Sequence, residues 1–206
     1  MFVSSRCSAC AQAGDALCHR CRFSLAGVGA VRRADGIAAA FAFEGVARQL
    51  IVALKFRHRR SAAAVLAAQM VARLGLDNID VVTWAPTSAR RVRRRGYDQA
   101  EAIAQAVARQ LGVPCRRLLY RAHGAPQTGK SRADRLVGPA FRARRPRRGL
   151  VVLLVDDVVT TGATLRTAAD ALYAAGVAEV RLAAAASTQL RHTPSPRRIG
   201  ASMHAV

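Results

Sequence analysis

Negative charge, lysine and aromatic side chains are all scarce in this sequence. Its 12 Asp+Glu stand against 33 Lys+Arg, a formal net charge of +21 over 206 residues. A field of that sign attracts polyanions or phosphorylated ligands and names none of them. Lysine occurs only at Lys55 and Lys130, so nearly all the cation is arginine. That reflects either coding bias or selection for planar phosphate contacts. Aromatics make up 5%, and the stretch His123 to Arg148 lacks the aromatic spacing of a nucleobase-stacking pocket. No apolar run approaches the length of a membrane-spanning helix, and MFVSSRCSAC has no charged region leading into an apolar one. The expectation is a cytoplasmic protein with no membrane span. No internal repeat is evident, and 51% hydrophobic residues can bury one full core with a small appendage.

Cysteine is scarce too, but its placement is informative. Four of the five form Cys7-x-x-Cys10 and Cys18-x-x-Cys21, joined by Ala11 to Leu17. In a reducing compartment this reads as a metal site, since two such turns aim four thiolates at one tetrahedral centre, as structural Zn²⁺ prefers. His19 is near enough to replace one cysteine, and a redox pair is the rival reading. Cys115, alone in an apolar and basic stretch, reads as structural.

Beyond this element the chain alternates. Gly36 to Phe43 reads as a strand; Val46, Leu50, Ile51 and Leu54 recur at helical spacing, and Ser61 is placed to cap a helix over Ala62 to Leu74. Ile79 to Trp84 is β-rich. The segment TSARRVRRRGY, carrying Arg90, Arg91, Arg93, Arg94 and Arg95, reads as a loop. Asp98 with Glu101 makes a capping box for a helix that ends at Gly112. Cys115 to Tyr120 is a candidate strand, His123 to Arg148 a long mobile loop, Val151 to Val155 a buried strand, and Val180 to Ala186 another. Leu165, Ala168, Ala169, Leu172 and Ala175 stripe the helix between those last two. The expected fold is α/β, a mainly parallel sheet flanked by helices. Its divisions are a zinc-binding element at 1–30, the α/β domain at 31–190, and a flexible tail at 191–206.

The stretch VVLLVDDVVTTGAT, Val151 to Thr164, sets two carboxylates at the end of a strand and follows them with a loop suited to phosphate. Ligands of open α/β sheets bind at the carboxyl ends of the strands. Amides of Thr160, Thr161, Gly162, Ala163 and Thr164 open a helix whose N-terminus favours an anion. Neither the Walker spacing nor the dinucleotide glycine pattern is present. Asp156 and Asp157 therefore call for a neutral or cationic counterpart beside the phosphate, and a sugar diol or Mg²⁺ serves. A sugar 5-phosphate satisfies both halves. The bland alternative is an aspartate pair that merely caps the helix.

This stretch resembles the phosphoribosyl pyrophosphate signature of type I phosphoribosyltransferases. With the paired CxxC, LKF at Leu54 to Phe56, RRRGYDQAE at Arg93 to Glu101 and PQTG at Pro126 to Gly129, the chain resembles the ComF/GntX family from Cys7 to about Ala186. The resemblance implies a type I phosphoribosyltransferase-like fold with a small N-terminal zinc element formed by the four cysteines Cys7, Cys10, Cys18 and Cys21. It implies that Asp156 and Asp157 serve as catalytic residues on the ribose hydroxyls, with Mg²⁺. Substrate would be bound by Val158, Val159, Thr160, Thr161, Gly162, Ala163 and Thr164, with Lys55, Arg90, Arg91, Arg94 and Gln127. The implied partners are phosphoribosyl pyrophosphate or a related ribose phosphate, single-stranded DNA and DNA-uptake proteins. Two functions stay open: a phosphoribosyltransferase of unknown acceptor, and a non-catalytic accessory protein that binds single-stranded DNA and whose nucleotide pocket is regulatory or vestigial.

Overall fold

The structure, a computed structural model, describes residues 6–121, 140–145 and 149–188. Gln127, the PQTG segment and the 191–206 tail lie outside those residues. Five strands form one sheet in the order β1-β2-β7-β6-β3, where β1 is Val31–Arg32, β2 Ala38–Ala42, β3 Val81–Trp84, β6 Val151–Val159 and β7 Glu179–Ser187. The neighbours from β2 to β3 pair in parallel and β1 lies antiparallel at one edge. A mainly parallel sheet was the expectation, and the β-branched and alanine runs of β6 and β7 are what two covered faces require.

Helices cover both faces. On one side pack α2 (Gly45–Phe56), α3 (Ser61–Leu74) and α5 (Gln99–Leu111), with Leu50, Ile51, Leu54, Leu66, Met70 and Ile103 fully buried against Leu153 and Val155. Ala47, Leu50, Ile51 and Leu54 recur at i, i+3, i+4 and i+7 and make the stripe that docks α2, each of the three larger side chains contributing roughly 2 kcal/mol. On the other side α6 (Ala163–Ala174) buries Leu165, Ala168 and Leu172 against Val152 and Leu154. The cysteine element and its helix α1 (His19–Ala26) share the first core through Cys7, Leu17, Cys21 and Leu25. Arg59 donates to the carbonyl of Cys7, and Arg73 to those of Leu25 and Val28. No helix among the described residues is long and apolar enough to cross a membrane.

Several expectations need correction. The basic segment is not a loop: Ala89–Arg95 forms α4, with Ser88 as N-cap accepting from the Arg91 amide and Gly96 closing it in the left-handed region. Ser61 does not cap α3 but lies inside it, its hydroxyl 2.8 Å from that of Ser8 in the cysteine element. Part of the expected long loop is a strand, since β5 (Phe141–Ala143) pairs antiparallel with β4 (Leu119–Arg121) in a second small sheet. Of Cys115 to Tyr120, Cys115 itself makes only an isolated bridge to Val82. Finally, β6 does not stop at the aspartates but runs through them to Val159.

Candidate functional site

The passage of β6 through Asp156–Asp157 shapes the site. Leu153 and Val155 pack under α2, α3 and α5, and Val158 packs with that same cluster, whereas Val152, Leu154 and Val159 face α6. The two-residue alternation of a strand thus slips by one across the aspartates, and both carboxylates line a single cavity of about 580 Å³. The amide of Asp157 donates to Asp156 Oδ1 at 2.7 Å. Burial, and then the neighbouring Asp157 charge, push the Asp156 carboxyl up to about 8. Lys55, in the last turn of α2, donates to Asp157 Oδ1 at 2.8 Å.

After Val159 the chain turns through Thr160, Thr161 and Gly162 into α6. Gly162 is its N-cap at φ 82°, a conformation that glycine adopts without penalty. Thr160 and Thr164 face the large cavity, and Val159, Thr161, Gly162 and Ala163 line, with their neighbours, a recess of about 30 Å³ under the loop. The helix begins later than the sequence reading has it, at Ala163, which leaves Thr160 to Gly162 as the turn itself.

Opposite stands a basic wall. Within α4, Arg91, Arg94 and Arg95 recur at i, i+3 and i+4 and so share one face, and all three line the cavity. Arg93 lines a neighbouring hollow of about 460 Å³ with Trp84 and Tyr120. Arg90 lines neither and is exposed. The Nε of Arg95 is a buried nitrogen without a hydrogen-bond partner among the described residues, although its Nη1 donates to Gln99 Oε1 at 2.8 Å. Two further charged residues, Arg121 and Asp98, also line the cavity. Arg121, at the end of β4, has its guanidinium destabilised first by burial and then by Arg91. Asp98 accepts from the amides of Thr87 at 2.8 Å and Ala100 at 3.1 Å, and burial raises its carboxyl above the usual range. The motif around Asp98 gave its capping role in advance, but no local signal marks Arg121, which arrives through the pairing of β4 with β5.

The four cysteines meet outside this cavity. The Sγ atoms of Cys7, Cys10, Cys18 and Cys21 lie within 4.8 Å of one another, an arrangement that can hold a metal ion. His19 opens α1 and is not part of the cluster. Burial opposes ionisation of Cys7, yet the amides of Cys18, Cys10 and Ala9 outweigh it and bring that thiol down to about 6. An all-sulfur set held by backbone amides fits a closed structural centre.

Sequence comparison adds a match of residues 98–200 to the phosphoribosyl transferase domain family. The chain is 33% identical over 144 residues to the DNA utilization protein YhgH of Salmonella typhimurium, an alignment covering 65% of this chain and 63% of that protein. It is 32% identical over 104 residues to the competence protein ComFC of Bacillus subtilis, covering 50% and 42% respectively. The chain thus spans less than two thirds of the length of either relative. Among solved structures it is similar to the glutamine phosphoribosylpyrophosphate amidotransferase of B. subtilis, with 26% identity over 62% of this chain and 26% of that one, at a TM-score of 0.46.

Proposed function

The chain belongs to the phosphoribosyl transferase domain family, in a branch like the competence protein ComFC, and from that premise we propose that its main cavity binds phosphoribosyl pyrophosphate and transfers the phosphoribosyl group to an acceptor. One observation carries the reading: a single cavity is lined by Asp156 and Asp157, by Thr160 and Thr164, and by Arg91, Arg94 and Arg95. The ligand has a sugar diol, a 5-phosphate and a pyrophosphate, and each finds its complement on a different wall.

In this reading the loop from Thr160 to Thr164 takes the 5-phosphate on amides and hydroxyls. The carboxylates of Asp156 and Asp157 accept hydrogen bonds from the ribose hydroxyls and hold C1 toward the basic wall. An acceptor nucleophile then bonds to C1 as the C1–O bond breaks, the electron pair leaving with pyrophosphate. Arg91, Arg94 and Arg95 stabilise that charge, and the partnerless Nε of Arg95 is a donor kept for an anion. The adjacent carboxylates of Asp156 and Asp157 fit Mg²⁺, which when bound supplies further neutralisation of the departing pyrophosphate. The four-cysteine cluster is read as a structural Zn²⁺ site.

The second reading is a non-catalytic accessory protein that binds single-stranded DNA. It draws on Phe56, an exposed aromatic at the end of α2 with the Arg95 guanidinium 5.2 Å from its ring centroid. An exposed ring beside arginines is a stacking platform for a base. The names of the relatives speak of DNA utilization and competence, and the same link to DNA uptake is proposed for this chain. Calorimetry with phosphoribosyl pyrophosphate and Mg²⁺ tests the first reading. The wild type binds, and Asp156→Asn with Asp157→Asn abolishes binding while circular dichroism stays unchanged. Equal affinity in both proteins overturns it. Pyrophosphate release across nucleobases, amines and thiols then separates transfer from binding alone.

A further inference from the structure

We infer that Arg33, Asp35 and Arg166 form a clasp behind the 160–162 turn that aims its amide N–H groups into the recess lined by that turn, and so act as positioning residues for the phosphate. The inference rests on the proposed reading of that turn as the 5-phosphate site. Arg33 follows β1, and its side chain is only 5% exposed. Its Nε and Nη2 grip Asp35 at 3.0 and 2.8 Å, and its Nη1 donates to the carbonyl of Thr160 at 2.8 Å and to Ser187 Oγ at 3.5 Å. From the other side Arg166, in the first turn of α6, donates through Nη1 to Asp35 Oδ2 and through Nη2 to the carbonyl of Thr161, each at 2.8 Å. One carboxylate thus organises two guanidiniums, and each guanidinium holds one carbonyl of the turn.

The consequence follows from the planarity of the trans peptide, in which the C=O of one residue and the N–H of the next point in opposite directions. With the Thr160 carbonyl drawn onto Arg33, the Thr161 N–H points away from the clasp. With the Thr161 carbonyl drawn onto Arg166, the Gly162 N–H does the same. Neither amide donates to any acceptor among the described residues. The recess under the turn is lined by these same residues.

Gly162 makes the clasp possible. A Cβ at this position would sit 2.6 Å from Arg166 Nη1, 2.7 Å from Ile37 Cδ1 and 2.9 Å from Asp35 Oδ2. The absent methyl is the space in which the carboxylate and the second guanidinium meet. Charge works in the same direction, because two guanidiniums sharing one carboxylate leave a net positive charge behind the anion site.

A tether that merely stiffened the turn would not distinguish one amide from the other, so the test reads them separately. Ribose 5-phosphate and magnesium pyrophosphate are titrated by calorimetry into wild type, Arg33→Met and Arg166→Met, and the amide resonances of Thr161 and Gly162 are followed by NMR. Each variant should lose roughly tenfold or more in ribose 5-phosphate affinity, about the worth of one charge-assisted contact, with pyrophosphate affinity unchanged. In Arg33→Met the ligand-induced shift of Thr161 collapses and that of Gly162 persists; in Arg166→Met the pattern reverses. Arg166 is exposed, so its variant keeps the test alive if Arg33→Met fails to fold. Wild type that binds ribose 5-phosphate alongside variants that bind it equally, or with both resonances affected alike, overturns the clasp alone. Wild type that binds neither ribose 5-phosphate nor phosphoribosyl pyrophosphate overturns the proposed function, and the clasp with it.

Discussion

Lys55 Nζ and Asp157 Oδ1 lie 2.8 Å apart, their side chains 20% and 14% exposed. The pair joins the end of α2 to the C-terminal part of β6 and neutralises one carboxylate of the site, while the other, Asp156, is pushed up to about 8. The cavity therefore holds its two acids in different states, one paired and one inclined to keep its proton.

Removing the lysine exposes that arrangement to measurement. Lys55→Met leaves Asp157 partly buried without its cation, which should lower stability by roughly 1–3 kcal/mol. A divalent cation then takes the vacated role, so added Mg²⁺ should raise the thermal midpoint of the variant more than that of the wild type. Scanning fluorimetry with chelator and with Mg²⁺ reads both effects. Identical Mg²⁺ responses would remove the carboxylate pair from consideration as a cation site.

The raised Asp156 carboxyl sets a pH dependence. An unfolded aspartate loses its proton near pH 4, whereas the folded one keeps it to about 8. Between these values the native state binds more protons, so this group's contribution to stability falls as pH rises. Asp156→Asn should flatten the fall of the midpoint across about pH 4 to 8. Cation binding requires the ionised acid, so Mg²⁺ affinity should climb through the same window in wild type. A variant that declines in parallel with wild type would mean that Asp156 carries no such proton.

The helical spacing of the basic wall permits a test in which two ligands report different faces. Arg91→Ala with Arg94→Ala should weaken phosphoribosyl pyrophosphate, while Phe56→Ala should spare it and weaken single-stranded DNA. Each lost phosphate contact should shallow the salt dependence of DNA binding by about 0.7 in the log–log slope. Loss of the small ligand alone supports transfer, and loss of DNA alone supports the accessory role. If neither affinity moves, the arginines of α4 only solvate a surface helix.

Purified protein should carry about one equivalent of zinc, because four thiolates close a tetrahedral shell. Cys18→Ser should lower that content and the thermal midpoint together. Metal analysis that finds no zinc, or content unaffected by the substitution, rejects the assignment.

What the sequence disclosed, and what it withheld, follows the range of the interactions. Helix α5 was readable because Asp98 and the apolar stripe from Ala100 to Leu111 are local signals. Its capping box was only half right, since Glu101 accepts from Gln105 at 3.4 Å. Helix α4 was not readable: arginines fill most of it and offer no apolar stripe, and its order comes from Ser88, Gly96 and the cavity it walls. The extent of β6 was hidden because carboxylates read as the end of a strand, and only its pairing with β7 up to Ser187 carries it further. At the site, the aspartates and the threonine loop announced themselves as one contiguous motif. Arg121 and the Arg33–Asp35–Arg166 group did not, since Asp35 and Arg166 are 131 residues apart in the chain and meet only once the sheet has formed.

The hold of Arg59 on Cys7 and of Ser61 on Ser8 ties the cysteine element to the corner between α2 and α3, close to Lys55 and Phe56. In hydrogen exchange that corner and the element should open as one cooperative unit, at a lower free energy than the amides of β6, which are paired on both sides. The rim of the cavity that carries Lys55 thus takes its rigidity from the sulfur cluster, and the floor that carries the aspartates takes its own from the sheet.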